Sequence, residues 1–118
     1  MRRVLVIDDE QMIRDLIKQA LERRNHCVET ADNAKTGMAM FDQKDYDLVI
    51  TDVNMPDLDG HSVVRHIRRN TPHKPVIGLS GTPWLLQNSG FDDVLAKPFP
   101  ILSLIEKAET LTSVSVAV

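Results

Sequence analysis

Carboxylates follow two short apolar segments of this 118-residue chain. Asp8 and Asp9 come directly after Val4–Ile7, and Asp52 comes directly after Leu48–Thr51. If both segments are parallel strands, their carboxyl ends lie at one edge of a sheet and the three acids meet there. Like charges at close range raise one another's pKa, and a divalent cation relieves that cost. Oxygen ligands suit Mg²⁺ better than a soft metal, and they leave positions open for a phosphoryl oxygen.

Two further polar residues stand at strand ends in the same order along the chain. Ser80 ends a fourth apolar segment, and Lys97 follows a fifth and precedes Pro98. Attack by a carboxylate on phosphorus needs a cation and a metal to spread the charge, and a hydroxyl to bind one oxygen. Each residue has a plainer alternative: a turn serine, a surface lysine, and helix capping for the paired acids. Their joint placement favours phosphoryl chemistry. Lys97-Pro98 also indicates a rigid turn, with a cis bond as one form.

The elements that position these residues alternate between strands and helices. Short β-branched runs predict buried parallel strands, and apolar residues at spacings of three and four predict helices between them. Right-handed crossovers then cover both faces of the sheet. The predicted strands are Arg3 to Ile7, Cys27 to Thr30, Leu48 to Thr51, Val76 to Leu79 and Val94 to Ala96. The predicted core positions of the helices are Met12, Ile13, Leu16, Ile17, Ala20, Leu21, Ala34, Met38, Met40, Phe41, Val63, Val64, Ile67, Ile101, Leu104, Ile105, Ala108 and Leu111.

Composition narrows the class of protein. With 42% hydrophobic and 26% charged residues and a net charge of −3, the chain has the composition of a soluble globular protein. Its apolar runs are too short to cross a bilayer, and its start lacks a signal-peptide pattern, so we expect a cytoplasmic location and no membrane partner.

The single Cys27 excludes an intrachain disulfide and is expected to be buried. The cluster around Arg65 and Arg68 is expected to meet solvent at a helix end, without nucleic-acid contact.

The motifs taken together resemble the receiver domain of response regulators in two-component signal transduction. The resemblance covers nearly the whole chain and rests on VLVIDDE at residues 4–10, DLVITDVNMP at 47–56, Asp59-Gly60, Ser80 and Lys97-Pro98-Phe99. It implies an α/β fold of the flavodoxin-like, doubly wound type, with a five-stranded parallel sheet in the order 2-1-3-4-5 and helices on both faces. It also implies one receiver domain over residues 1–118, in which 110–118 form a helix end and tail.

The resemblance assigns roles to individual residues. It makes Asp52 the phosphoacceptor, Ser80 the switch hydroxyl and Lys97 the cation that contacts the phosphate. Mg²⁺ would be held by Asp52 with Asp9 directly, Asp8 through water, and the backbone carbonyl of Asn54. Gly81 would leave the acyl phosphate open to donor and water. A histidine kinase or histidine phosphotransfer protein would supply the phosphoryl group, so the chain would catalyse its own modification without a separate substrate.

Two departures from the family pattern concern the signal output. Val94 stands where the family usually has an aromatic residue, three positions before the lysine. The stretch from Thr82 to Gly90 is about five residues short and has room for only a stub of the fourth helix. Trp84 and Leu85-Leu86 in that stretch are expected to pack over the shortened region, with a partner-binding patch as the alternative.

Three other interpretations compete with a phosphorylated receiver, and the residues after the first strand disfavour the first two. A haloacid-dehalogenase-type phosphatase would have Asp where this chain has Glu10, and a flavodoxin-like cofactor protein would have a Ser/Thr-rich phosphate loop after its first strand. A receiver-like interaction module that signals without phosphorylation is the third. Since the chain ends soon after its last predicted helix, we expect no output domain. Output would then come from docking to an unknown target protein or from formation of a homodimer.

Overall fold

A single parallel sheet organises the molecule. The computed structural model describes residues 2–56, 58–83 and 90–113. Five strands pair in the order β2-β1-β3-β4-β5, all parallel, which confirms the predicted topology. The strands are β1 (Arg3–Ile7), β2 (Cys27–Ala31), β3 (Leu48–Asp52), β4 (Val76–Ser80) and β5 (Asp93–Ala96).

Four helices are described, and each begins close to its predicted start. They are α1 (Gln11–Glu22), α2 (Ala34–Gln43), α3 (Gly60–Asn70) and α4 (Ile101–Thr112). The side chain of Asn33 accepts a hydrogen bond from the Thr36 N–H at 2.8 Å, which confirms the predicted cap of α2. None of these helices is long and apolar enough to cross a membrane.

Alternation along the buried strands divides the core between the two faces of the sheet. On β1, Val4 and Val6 face one helix layer, whereas Leu5 and Ile7 face the other. The first face packs against α1 and α4, and the second packs against α2 and α3. With both faces covered, the carboxyl ends of the strands are the place where polar side chains gather.

The apolar stripe of α1 is narrower than its sequence predicts. Ile17 and Leu21 are buried, but Met12 is 84% exposed and Leu16 is 44% exposed. The predictions of Met12 and Leu16 as core residues were therefore wrong, because these two residues, four positions apart on one side of α1, face solvent, whereas Ile13 and Ile17 beside them pack on the core. Met38 does pack partly buried against the core, as predicted. Cys27 is only half-buried, because β2 is an edge strand.

Arg68 has a structural role that the sequence did not indicate. Its guanidinium donates to the carbonyls of Pro72, Lys74 and Gly90 and pairs with Asp92 at 2.7 Å. These bonds join the end of α3 to the segment that leads into β5. The prediction that Arg68 simply meets solvent was therefore wrong.

The connection between β4 and β5 is only partly described. Between these strands the structure describes residues 81–83 and 90–92, and no α-helix occurs in them. The predicted stub of a helix and the predicted roles of Trp84, Leu85 and Leu86 lie outside the described residues.

Phe91, just before β5, covers part of the sheet face on the α3 side. Its ring lies so close to Gly78 of β4 that a Cβ there would come within 3.0 Å of the ring. The ring also makes an edge contact with His61, with centroids 5.9 Å apart. Gly78 therefore makes room for an aromatic ring on this face.

Candidate functional site

The polar residues selected from the sequence meet at the carboxyl edge of the sheet. Four of them stand at the ends of four strands: Asp8 after β1, Asp52 as the last residue of β3, Ser80 as the last of β4, and Lys97 after β5. β3 and β4 each extend one residue beyond the prediction, so Asp52 and Ser80 are held by strand pairing itself.

Asp8 is the most enclosed carboxylate of the site. It is fully buried, and its Oδ1 accepts a hydrogen bond from the Glu10 N–H at 2.9 Å. The Asp8 carbonyl accepts a hydrogen bond from Arg14 Nη1 at 2.7 Å. These two bonds fix the turn between β1 and α1, and the adjacent Asp9 remains exposed to solvent.

Asp52 is nearly as buried, with 4% of its surface exposed. Its Oδ1 accepts a long hydrogen bond of 3.4 Å from the Asn54 N–H, and its Oδ2 lies 3.4 Å from Lys97 Nζ. Asn54 itself is exposed in the loop after β3. Its backbone therefore lies at the site, but the described contact is made by its N–H, and the role predicted for its carbonyl stays a prediction.

The loop after Asp52 closes tightly onto the start of α3. The Asp59 carboxylate caps α3 by accepting from the N–H groups of His61 and Ser62 at 3.0 and 3.2 Å. A Cβ on Gly60 would lie only 2.7 Å from the Asp52 carbonyl oxygen and 2.8 Å from Val53 Cα. Glycine at this position is therefore required for the close approach of α3 to the end of β3.

Lys97 links the carboxylates. Its Nζ lies 3.1 Å from Asp8 Oδ2, 3.2 Å from Glu10 Oε1 and 3.4 Å from Asp52 Oδ2. The Lys97-Pro98 peptide bond is cis, the form that the sequence left as an option. The Lys97 N–H also donates to the Ser80 carbonyl at 2.8 Å, which ties β5 to β4 at the site.

Ser80 and Gly81 form the side of the site next to β4. Ser80 is 1% exposed, and its Oγ accepts a hydrogen bond from the Thr82 N–H at 2.9 Å. Gly81 is exposed, and a Cβ there would meet no atom within 4 Å. The hydroxyl is thus held within the loop after β4, and the space beside it is open.

Burial and like charges set the protonation behaviour of the site. Burial, followed by the nearby charge of Asp8, raises the pKa of Asp52 from 3.8 to about 6. Burial likewise raises the pKa of Asp8. Burial by itself would lower the pKa of Lys97, but the hydrogen bond to Asp8 and the charges of Asp8 and Asp52 outweigh it and raise that pKa. The single positive charge of Lys97 is therefore too small to balance the negative charges of the carboxylates around it.

The donor atoms of this cluster fit a hard divalent cation. One carboxylate oxygen from each of Asp8, Asp9, Glu10 and Asp52 lies within 4.8 Å of the others. All four donors are oxygen, which suits Mg²⁺, and exposure of Asp9 and Glu10 leaves room for water ligands. Glu10 was not among the residues predicted for the site, although its position directly after the two aspartates was a usable signal.

Val94 stands on β5, where the family usually has an aromatic residue. Val94 is half-buried on β5 and pairs in register with Gly78 of β4. The nearest aromatic side chain along the chain is Phe91, which packs on Gly78. Phe91 was not among the predicted residues, because the family pattern has its aromatic residue three positions before the lysine, where this chain has Val94.

Comparison with known sequences identifies the family of this chain. The chain matches the model of the response regulator receiver domain over residues 4–109. Transcriptional regulatory protein TrcR of Mycobacterium tuberculosis is 31% identical over 114 residues, which cover 92% of this chain and 44% of that protein. Transcriptional regulatory protein ResD of Bacillus subtilis is 32% identical over 114 residues, which cover 92% of this chain and 47% of that protein. The chain thus spans about half the length of the curated relatives it matches.

Solved structures agree with the fold. The response regulator TrrA from Thermotoga maritima, in complex with Mg²⁺-BeF, superposes with a TM-score of 0.87 and 33% identity over 94% of this chain and 99% of that chain. The chemotaxis response regulator CheY4 of Vibrio cholerae gives a TM-score of 0.87 and 28% identity over 94% and 98% of the two chains. This chain therefore belongs to the response regulator receiver domain family of two-component signalling.

Proposed function

We propose that Asp52 accepts a phosphoryl group in a Mg²⁺-dependent reaction from a histidine kinase or histidine phosphotransfer protein. The observation that carries the proposal is the contact of one half-buried cation with two buried acids: Lys97 Nζ lies 3.1 Å from Asp8 Oδ2 and 3.4 Å from Asp52 Oδ2. A buried carboxylate beside a lysine and further acids has the parts that phosphoryl transfer requires. The Mg²⁺-BeF complex of the similar TrrA supports the same assignment.

Each residue has a distinct task in the proposed reaction. An Asp52 carboxylate oxygen attacks phosphorus, the bond from phosphorus to the donor's imidazole nitrogen breaks, and the imidazole leaves with the bonding electrons. Lys97 places its ammonium beside the charge that gathers on the phosphoryl oxygens. Asp8, Asp9 and Asp52, with the Asn54 carbonyl, would hold Mg²⁺, which neutralises that charge when bound.

Ser80 would couple the chemistry to the rest of the chain. Its Oγ is held by the Thr82 N–H at 2.9 Å. Because Oγ accepts this bond, its O–H can still donate to a phosphoryl oxygen. If Ser80 turns toward that oxygen, Oγ moves away from the Thr82 N–H and the loop after β4 shifts. Phosphorylation would then bias an existing equilibrium between two loop arrangements.

An exposed apolar surface beside Lys97 offers a place for the donor protein. Ile13 and Leu16 of α1 line a cleft with Lys97, Pro98 and Phe99. Met12, in the first turn of α1, is 84% exposed. A donor histidine that reaches Asp52 must cover this rim of the site, so we propose that the donor packs on this surface. Its apolar side chains would lose water contact on binding.

Incubation with Mg²⁺ and acetyl phosphate tests the proposed reaction. The wild type is expected to gain one phosphoryl group by intact mass, and hydroxylamine is expected to remove it, as for an acyl phosphate. Asp52→Asn should gain none, whereas Asp15→Asn, an exposed acid on α1, should behave like the wild type. Equal labelling of the wild type and Asp52→Asn would instead favour a receiver-like interaction module that signals without phosphorylation.

We propose that residues 1–118 act as one receiver domain in the cytoplasm and signal by docking to a target protein or by homodimer formation. Size measurement of the protein before and after phosphorylation separates these two outputs, because only dimer formation doubles the mass of the purified protein.

A further inference from the structure

Glu10 shares the ammonium of Lys97 with the two buried aspartates. Its Oε1 lies 3.2 Å from Lys97 Nζ, a distance similar to the 3.1 Å between Nζ and Asp8 Oδ2. The Glu10 side chain is 59% exposed, whereas those of Asp8 and Asp52 are 0% and 6% exposed. Glu10 is therefore the partner of Lys97 that lies at the solvent-facing rim of the site.

The local backbone explains why this carboxylate turns toward Lys97. Glu10 stands at the N-cap of α1, but its side chain makes no capping hydrogen bond. Its N–H is already taken by Asp8 Oδ1 at 2.9 Å. With its backbone held in this way, the side chain contacts the ammonium of Lys97 and not the start of its own helix.

An ammonium group has three N–H donors, and Lys97 has three carboxylate partners. A phosphoryl oxygen that arrives at Lys97 therefore competes with them, and the two that hold hydrogen bonds to Nζ are Asp8 and Glu10. Release of Asp8 would leave a fully buried carboxylate without its cation, which is costly. Release of Glu10 returns an exposed carboxylate to water, so Glu10 is the partner that gives way.

We propose that Glu10 is a positioning residue that competes with incoming phosphoryl groups for the ammonium of Lys97 and slows transfer from small anionic donors. This inference rests on the proposed function of Asp52. With acetyl phosphate, an Asp52 oxygen bonds to phosphorus, the bond from phosphorus to the acetate oxygen breaks, and acetate leaves with the electron pair. No proton moves, and Lys97 stays protonated throughout. The charge of Glu10 at the rim also repels the donor dianion.

The size of the effect follows from the charge that is removed. In water, a negative unit charge about 6 Å from a dianion lowers the local concentration of the dianion about tenfold. Physiological salt reduces this factor to about threefold. Glu10→Gln keeps the size and an acceptor oxygen but removes the charge. At saturating Mg²⁺ we therefore expect acetyl phosphate to phosphorylate Glu10→Gln about three to ten times faster than the wild type.

The test compares the wild type, Glu10→Gln and Asp15→Asn with two donors. Asp15→Asn removes one exposed negative charge from α1 outside the site and is expected to match the wild type. The gain in Glu10→Gln should be larger with acetyl phosphate, a dianion, than with phosphoramidate, a monoanion, and should shrink as KCl is added. A Glu10→Gln rate within twofold of the wild type, or below it, overturns the inference, as does an equal gain in Asp15→Asn.

A second measurement is independent of phosphorylation. The ¹⁵N NMR signal of the Lys97 ammonium should show faster hydrogen exchange in Glu10→Gln than in the wild type, because one of its three partners is weakened. An unchanged exchange rate overturns the Glu10–Lys97 contact. If the wild type gains no phosphoryl group at all, the proposed function of Asp52 fails, and this measurement still decides whether Glu10 holds Lys97.

Discussion

Replacement of Asp52 by Asn is expected to stabilise the protein in the absence of Mg²⁺ at neutral pH. The pKa of Asp52 is raised from 3.8 to about 6 by burial and by the charge of Asp8. Because the unfolded chain releases this proton at lower pH than the folded protein, stability falls as the pH rises from 3.8 to about 6 and is level above that. Asn has nearly the same shape as the neutral acid and carries no charge, so it removes this penalty.

The magnitude follows from the pKa shift. A change from 3.8 to about 6 corresponds to a penalty of about 3 kcal/mol at pH 7.5, at roughly 1.4 kcal/mol per pKa unit. At pH 4.5 Asp52 is mostly protonated in the folded protein, and the same linkage leaves a penalty of about 1 kcal/mol. Because Asp52 is almost fully buried, solvent screens its charge little and these two penalties need no large reduction.

Urea unfolding in EDTA at pH 7.5 and pH 4.5 measures the difference in the free energy of unfolding between Asp52→Asn and the wild type. The gain should fall from about 3 to about 1 kcal/mol between the two pH values. Saturating Mg²⁺ should shrink it, because the cation binds the folded wild type more tightly. Asp15→Asn serves as the control and should change stability by less than about 0.5 kcal/mol. A gain that does not depend on pH, or a loss at pH 7.5, would refute the electrostatic reasoning.

Three other substitutions test the site and its support. Lys97→Met should lower stability by about 2 to 4 kcal/mol at pH 7.5, because it leaves buried carboxylates unpaired. In urea titrations at lower pH this loss should shrink, because the carboxylates become protonated. Gly60→Ala should cost about 1 to 3 kcal/mol and weaken Mg²⁺ binding measured by calorimetry, whereas Gly81→Ala, in open space, should change stability by under about 0.5 kcal/mol. Phe91→Ala should cost about 2 to 4 kcal/mol by loss of its packing on Gly78, with an unchanged rate of phosphorylation.

Each of these substitutions has an outcome that contradicts its argument. If Lys97→Met were as stable as the wild type at pH 7.5, the ammonium would not be the main partner of the acids. Equal Mg²⁺ affinity in Gly60→Ala and Gly81→Ala would mean that the approach of α3 to β3 does not shape the site. A slower reaction in Phe91→Ala, at temperatures where it remains folded, would connect that ring to the chemistry.

Much of the fold could be predicted because its determinants are local. The β-branched runs and the spacing of apolar residues gave all five strands within one residue at each end, and Asn33 marked the start of α2. Met12 and Leu16 were misassigned because periodicity alone does not show which side of a broad apolar stripe meets the sheet. Their side chains have the right type for core positions, but Ile13 and Ile17, each one residue further along the helix, are the ones that pack on the core.

One rule of parallel sheets was enough to predict where the site residues lie. It was not enough to predict which atoms they contact. Residues at strand ends meet at one edge, so Asp8, Asp52, Ser80 and Lys97 could be grouped from the sequence. Which atoms of that group touch depends on side-chain directions and on loops. For this reason the contact of Ser80 with Thr82 and the bond from Arg14 to the Asp8 carbonyl were not anticipated.

The sequence by itself determined the order of strands and helices and the types of residue at the sheet edge, because both depend on short-range patterns and on chain connectivity. Only the tertiary structure decided that Lys97 is shared by three carboxylates, since Glu10 and Lys97 are 87 positions apart in the chain. It also decided that Phe91 packs on Gly78, since that contact depends on how far the segment before β5 reaches over the sheet. Contacts between distant segments are set by packing and burial, which no local pattern encodes.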